Sequence, residues 1–264
     1  MDYRSNHRDL ILRLPELAFW FDGQANLTQF TTSAGATKAT DGVEMGLWRS
    51  RVGNYELAMS TDANRPLAQA LPTNELYLGA YFDTSAKRLQ GNTAMEGFMN
   101  SARGLTSICL TTIPLPAATG RMFQFERNSA GSTWWSVTGT SGSIVQNQTR
   151  RLHTDSPDLQ FSVATYTSGE VYVRIDTAHP NKAITTELYH PSTGLVSYIS
   201  GTAAWVAGET FDAANSNDVW LGGNPGTADP YTLGIVWEWL GCRTVLSQSM
   251  REDVAELMIK KAQL

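Results

Sequence analysis

The chain has 264 residues, 42 % of them hydrophobic and only 17 % charged, with a formal net charge of −5. That length and apolar share suit one all-β domain with a sizeable core, or two small ones. The acidic balance excludes an electrostatic nucleic-acid binder, which would carry a basic surface.

Residues 1–14 form a polar, basic arm ending in RDLILRL, and Pro15 stops any helix there. Arg4, His7 and Arg8 make the arm a candidate docking segment; the alternative is a terminal tail lying on the body. The opening MDYRSNHRDLILRLPE is charged throughout and lacks the apolar centre of a secretory signal. No run of about 18 apolar residues occurs, so membrane insertion is not expected.

From Leu17 the chain reads as strands. LAFWF (17–21) is an apolar run closed by the turn signal Asp22-Gly23. NELYLGAYFD (74–83) is apolar on both faces, and LTSICLTTI (105–113) is rich in β-branched residues. In RMFQFER (121–127), Met122, Gln124 and Glu126 point one way and Phe123 and Phe125 the other; STWWSVTG (132–139) follows. LQFSVATYT (159–167) and EVYVRIDT (170–177), separated by Ser168-Gly169, predict a hairpin. DVWLGGN (218–224) and LGIVWEWLGCRTVL (233–246) complete the strands, about ten to fourteen in all at the usual spacing. Only the end is helical: residues 249–262 carry a capping box from Ser249 to Glu252, a stripe of Val254, Leu257 and Met258 joined by the Lys261 stem, and basic residues in the last turn. The fold class is all-β, a two-sheet antiparallel sandwich with a C-terminal α-helix, in a single domain over 15–264.

The order of these segments carries a resemblance. LAFWFDGQANLTQF (17–30) resembles the opening of laminin G-like, concanavalin A-like jelly-roll domains. TTSAGATKATDGVEMGLWRSRVGN (31–54) is similar to a segment of bacteriophage proteins of this type, through Ser33-Ala34-Gly35, Val43, Gly46, Trp48, Gly53 and Asn54, with Arg65-Pro66 at the matching distance. GAYFDTSAKRL (79–89) and VWEWLGCRTVLSQSMREDVAEL (236–257) resemble the family's strand-turn and its terminal strand and helix. The resemblance implies a jelly roll in which Val43 and Trp48 anchor an early strand to the core. It departs where Ser50 replaces an Asp and Thr84 to Lys87 replace an acidic turn, which lowers any calcium expectation.

Little else points to chemistry. Retaining glucanases on this fold need carboxylates on alternate positions of one strand. Here Glu170 and Asp176 are six apart on one strand and Glu238 stands alone between tryptophans. The four histidines are scattered, with no metal-ligand spacing and no Gly-x-Ser-x-Gly elbow, so neither catalytic residue, metal nor cofactor is expected. Cys109 and Cys242 read as buried thiols, and sparse cysteine with no signal points to folding in a reducing cytoplasm. Eight tryptophans fill a sandwich core or stack on sugars. Trp134 and Trp135 are adjacent, so one of them faces out; with Arg49 and Arg51 they are the candidate contacts for a glycan or protein partner. Trp237 and Trp239 are expected to share a face. The functional expectation is a non-enzymatic structural protein of a tailed-phage virion, made in the host cytoplasm, present in several copies and bound to other virion proteins. The rival expectation is a tail adhesin that binds a host cell-surface glycan.

Overall fold

The computed structural model describes residues 3–24, 28–84, 86–112, 120–126, 134–140, 144–150, 159–163, 166–167, 169–179, 183–202, 211, 218–223 and 234–262. Side chains are described for these residues except 3–7, 120–121, 126, 134–140, 144–150, 159–163, 183, 197, 199 and 201–202. In chain order the elements are helix α1 (Tyr3–Leu12) and strands β1 (Leu17–Phe21), β2 (Gln29–Phe30), β3 (Leu47–Arg49), β4 (Glu56–Ala58), β5 (Leu67–Leu71), β6 (Asn74–Phe82) and β7 (Leu89–Gly91). A one-turn helix α2 (Thr93–Glu96) precedes β8 (Leu105–Thr112), β9 (Gly120–Glu126), β10 (Trp134–Thr140), β11 (Ile144–Arg150) and β12 (Leu159–Val163). The last elements are β13 (Val171–Ala178), β14 (Ala183–His190), β15 (Gly194–Thr202), β16 (Asp218–Leu221), β17 (Gly234–Cys242) and helix α3 (Gln248–Ala262).

Two antiparallel sheets stack as a jelly-roll sandwich. One runs β15-β14-β13-β8-β17-β6-β5, with β1 also paired to β17; the other runs β12-β11-β10-β9-β16-β7-β4-β3-β2. The strands outnumber the sequence expectation because β2, β3, β4 and β7 are only two or three residues long, too short to show a period of two. The segments 159–167 and 170–177 do not form the expected hairpin. β12 pairs with β11 in the nine-stranded sheet, whereas β13 pairs with β8 and β14 in the other.

Between the sheets lies an aromatic core. The Trp239 ring is 4.8 Å from Phe19, 5.1 Å from Phe123 and 5.8 Å from Phe21, and Phe98 packs 5.0 Å from Phe19. These pairs add edge and offset-stacking contacts to the largest burial available per side chain. The eight-stranded sheet is covered on its outer face as well. Ile11 and Leu14 from the N-terminal segment and Val254, Leu257 and Met258 from α3 pack there against Trp20, Ile108, Val173, Ile175 and Leu240. This third layer explains why β8 and β17 are buried along their whole length. Tyr3–Leu12 therefore form a helix, and Ile11 and Leu14 at its end lie on the body.

Three local expectations change. Trp237 and Trp239 belong to opposite faces, because a bulge between Val236 and Glu238 inserts one residue and inverts the alternation. The Val43 side chain is exposed and does not reach the core, although its carbonyl accepts from Ala68 N at 2.7 Å, whereas Trp48 is fully buried. Helix α3 begins one residue earlier than 249, and its N-terminus is capped by Ser247, whose Oγ accepts from Met250 N at 3.3 Å, in place of the Ser249 box.

Candidate functional site

The expected contact residues do not converge on one place. Arg4 and His7 lie in α1 with side chains outside the described set, and Arg8 is exposed on the same helix. Arg49, at the end of β3, is half exposed, bonds Glu56 at 2.9 Å and covers the Phe30 ring at 4.9 Å. Arg51 turns inward: it forms an ion pair with Asp22, donates to Gln24 Oε1 at 3.1 Å and lies over the Trp20 ring. Ser50 explains itself. Its Oγ accepts from Trp20 N at 2.8 Å and donates to Val52 O at 2.7 Å, a bond an aspartate carboxylate could not donate.

Asp22 and Arg51 belong to a buried cluster that periodicity could not reveal. Glu238, expected to stand alone, accepts from Trp20 Nε1 at 2.5 Å and from Lys261 Nζ at 3.1 Å. Lys261 also bonds Asp22, so one ammonium joins two carboxylates that are 1 % and 0 % exposed. Burial pushes the Glu238 carboxyl up to about 7, against the pull of Lys261 and with the push of Asp22. A glycosidase pair must meet a sugar and a water. This pair is closed to solvent and neutralised by Lys261 and Arg51, so it fastens β1, β17 and α3 together.

Three further polar groups resolve in the same way. Inside the sandwich Arg174 grips Asp176 through bonds of 2.7 and 3.0 Å, and Thr186 Oγ1 donates to the same carboxylate at 2.6 Å. On the outer face Arg251 forks onto Glu187 at 3.1 and 3.2 Å. At the turn after β14, His190 Nδ1 is 2.9 Å from Ser192 Oγ and its Nε2 is 3.4 Å from Glu170. Ser192 is exposed there and its own N–H also points at Nδ1, so the trio reads as a turn lock. Among the described residues no three His, Cys, Asp or Glu side chains are grouped to hold a metal ion, and no helix is long and apolar enough to cross a membrane.

The outer face of the nine-stranded sheet is different. Phe123, Phe125, Val219 and Leu221 share the face of β9 and β16 that meets the other sheet, and the alternating positions Met122, Gln124 and Trp220 share the opposite face, where they too are buried. Strand register then aligns one row across six strands. Gln90 on β7 is opposite Trp220 on β16, and Trp220 is opposite Gln124 on β9. Gln124 is opposite Ser136 on β10, Ser136 opposite Gln148 on β11, and Gln148 opposite Gln160 on β12. Five of the six positions carry an amide or hydroxyl residue and the sixth a tryptophan. Gln90 is exposed, Trp220 is 8 % exposed, and Arg88 stands 5.7 Å over the indole. Gln124 is fully buried with neither amide atom hydrogen-bonded. An unsatisfied buried amide costs about 1–3 kcal/mol. On β10, Trp135 is in register with the inward Phe125, so the neighbouring position, Trp134, has the parity of the polar row; both side chains lie outside the described set. The row was missed in the sequence because it joins residues up to 130 positions apart in pairs that only strand register supplies.

No family model and no curated protein matches the chain. Solved structures do. A Trypanosoma rangeli sialidase in complex with sialic acid superposes with a TM-score of 0.56 at 12 % identity, over 98 % of this chain and 38 % of that one. The receptor binding domain of botulinum neurotoxin C/D mosaic serotype gives 0.57 at 10 % identity, over 93 % and 51 %. A Ruminococcus gnavus IT-sialidase CBM40 bound to sialyllactose gives 0.46 at 15 % identity, over 67 % and 93 %. The chain thus spans about two fifths of the sialidase's length and half of the toxin domain's. At these identities the first two likenesses establish the β-sandwich fold.

Proposed function

We propose that this protein is a carbohydrate-binding module that acts without catalysis, through the outer face of its nine-stranded sheet. The observation that carries this reading is the row Gln90, Trp220, Gln124, Ser136, Gln148 and Gln160. Amides and hydroxyls offer both donors and acceptors to sugar hydroxyls, and Gln90 is the exposed member of the row. Two similar folds come from proteins whose structures are described as a sialidase with sialic acid and a toxin receptor binding domain, which agrees with the reading at the level of the scaffold. The test is titration with a panel of sialylated and neutral oligosaccharides, followed by tryptophan fluorescence. Saturable binding is expected, weakened about tenfold or more in Gln90→Ala, whose exposed side chain leaves folding intact. The Trp134→Ala variant extends the test to β10. No binding by any glycan, or binding unchanged in both variants, overturns the reading.

The setting we propose is the particle of a tailed bacteriophage, where the module would be displayed and bound to other virion proteins. Its support is the resemblance of segment 31–54 to bacteriophage proteins, with which a positive φ at Gly35 and Gly53 and the burial of Trp48 are compatible. Mass spectrometry of purified particles should find the protein; its absence defeats this setting and leaves the glycan titration standing.

A further inference from the structure

We infer that the carbohydrate-binding face proposed above, on which this inference rests, takes an acidic sugar and holds its carboxylate on Arg88, with Gln90 beside it. Arg88 immediately precedes β7. Leu89, between Arg88 and Gln90, is buried in the core, so both flanking side chains lie on the outer face. There the guanidinium stands 5.7 Å over the Trp220 indole. The row is open at this end: Gln90 is exposed and Arg88 half-buried, whereas Trp220 and Gln124 beyond them are buried. The backbone fixes the position. Arg88 N donates to Asn64 O at 3.0 Å, and the turn before it packs so closely on Gly222 that a Cβ there would lie 3.0 Å from Lys87 O.

Arg88 is a cation without a counter-charge. Among the described residues, each other buried or half-buried arginine has an acceptor: Arg51 pairs with Asp22, Arg65 with Asp62, Arg174 with Asp176 and Arg251 with Glu187, and Arg243 donates to Asn100 O. The Arg88 side chain makes no hydrogen bond or ion pair among the described residues, and its Nε is buried without a partner. Asp83, at the other end of the same turn, forms no ion pair with it, and one of its own carboxylate oxygens is buried and unpartnered. The indole attracts the guanidinium through its π-face but engages none of its N–H donors. Taking a charge partly out of water with no opposite charge is costly, and burial pulls Arg88 below its ordinary value. A planar guanidinium fork with free donors fits a carboxylate, which it meets through parallel N–H···O bonds. The exposed Gln90 amide, on the same face, can donate to and accept from the ring hydroxyls of the same sugar.

An oligogalacturonate and a sialylated trisaccharide are titrated against their methyl esters, which keep the sugars and remove the charge. At least one acid should bind about tenfold or more tightly than its ester, with the difference shrinking as salt rises. Arg88→Gln should bring that acid down to the affinity of its ester. Arg88→Lys, which keeps the charge and loses the fork, should fall between. Both variants should keep the wild-type far-ultraviolet spectrum, because neither removes a side-chain hydrogen bond or ion pair among the described residues. Esters that bind as tightly as the acids, or an acid preference that survives Arg88→Gln, overturn the proposal and leave the carbohydrate site standing. No binding of any acid or ester overturns both. Inorganic phosphate that displaces the acid at equal concentration overturns the acidic sugar in favour of a simple anion site.

Discussion

Lys261, in the last turn of the C-terminal helix, places its ammonium 3.1 Å from the carboxylate of Glu238 in the middle of β17. The pair ties the end of the chain to its centre, and Asp22 at the end of β1 completes it. An ion cluster at such depth contributes little net stability when intact, yet it is costly to break. Its members therefore make sharp probes of how the helix is held.

Glu238 should make stability depend on pH. Its folded carboxyl titrates near 7, against 4.5 ordinarily. Between those values the folded protein keeps a proton that the unfolded chain has released. The contribution is full below about pH 4.5 and is lost as pH rises through 7, on the order of 3 kcal/mol. Glu238→Gln should flatten that part of the urea-unfolding profile. An identical slope in wild type and variant would refute the assignment.

Removing the cation should have a pH-dependent cost. Lys261→Met keeps the stem and leaves the Glu238 carboxylate with Trp20 alone. A loss of roughly 3–5 kcal/mol is expected at pH 8. The loss should shrink at pH 5, where Glu238 is protonated and needs no counter-charge. Equal losses at the two pH values would mean that Lys261 acts by packing alone.

The two arginines flanking Ser50 should separate. Arg49 pairs with Glu56 in solvent, with side chains 45 % and 40 % exposed, so Arg49→Ala should change stability by less than about 1 kcal/mol. Arg51→Ala strips the buried Asp22 of one of its two cations and uncovers Trp20, and should cost clearly more, about 2 kcal/mol. Chemical denaturation of both variants decides it.

Cys109 and Cys242 sit on adjacent strands but on opposite faces of their sheet, one in the inter-sheet core and one under the helices. Both are free and buried; burial pushes the Cys242 thiol up to about 12 and the Cys109 thiol well above its usual value. Neither should react with a thiol-specific reagent in the native protein, and both should react in denaturant. Rapid labelling of the folded chain would contradict this placement.

What the sequence determined by itself was the material of the fold. The strand at Leu17–Phe21, the alternation of β9, the apolar runs of β8 and β17 and the stripe of α3 are all local patterns, because burial of a face imposes its period on neighbouring residues. Tertiary structure alone decided how those faces were used. A bulge at Trp237 inverted one alternation, a crossing of sheets replaced the expected hairpin at 168–169, and a third layer buried both faces of the central strands. The same holds for the sites. Asp22, Glu238 and Lys261 are separated by up to 239 residues, and the Gln90–Trp220–Gln124 row by up to 130. Such partners carry no shared spacing in the sequence, since only strand register and helix docking bring them within hydrogen-bonding or ladder distance.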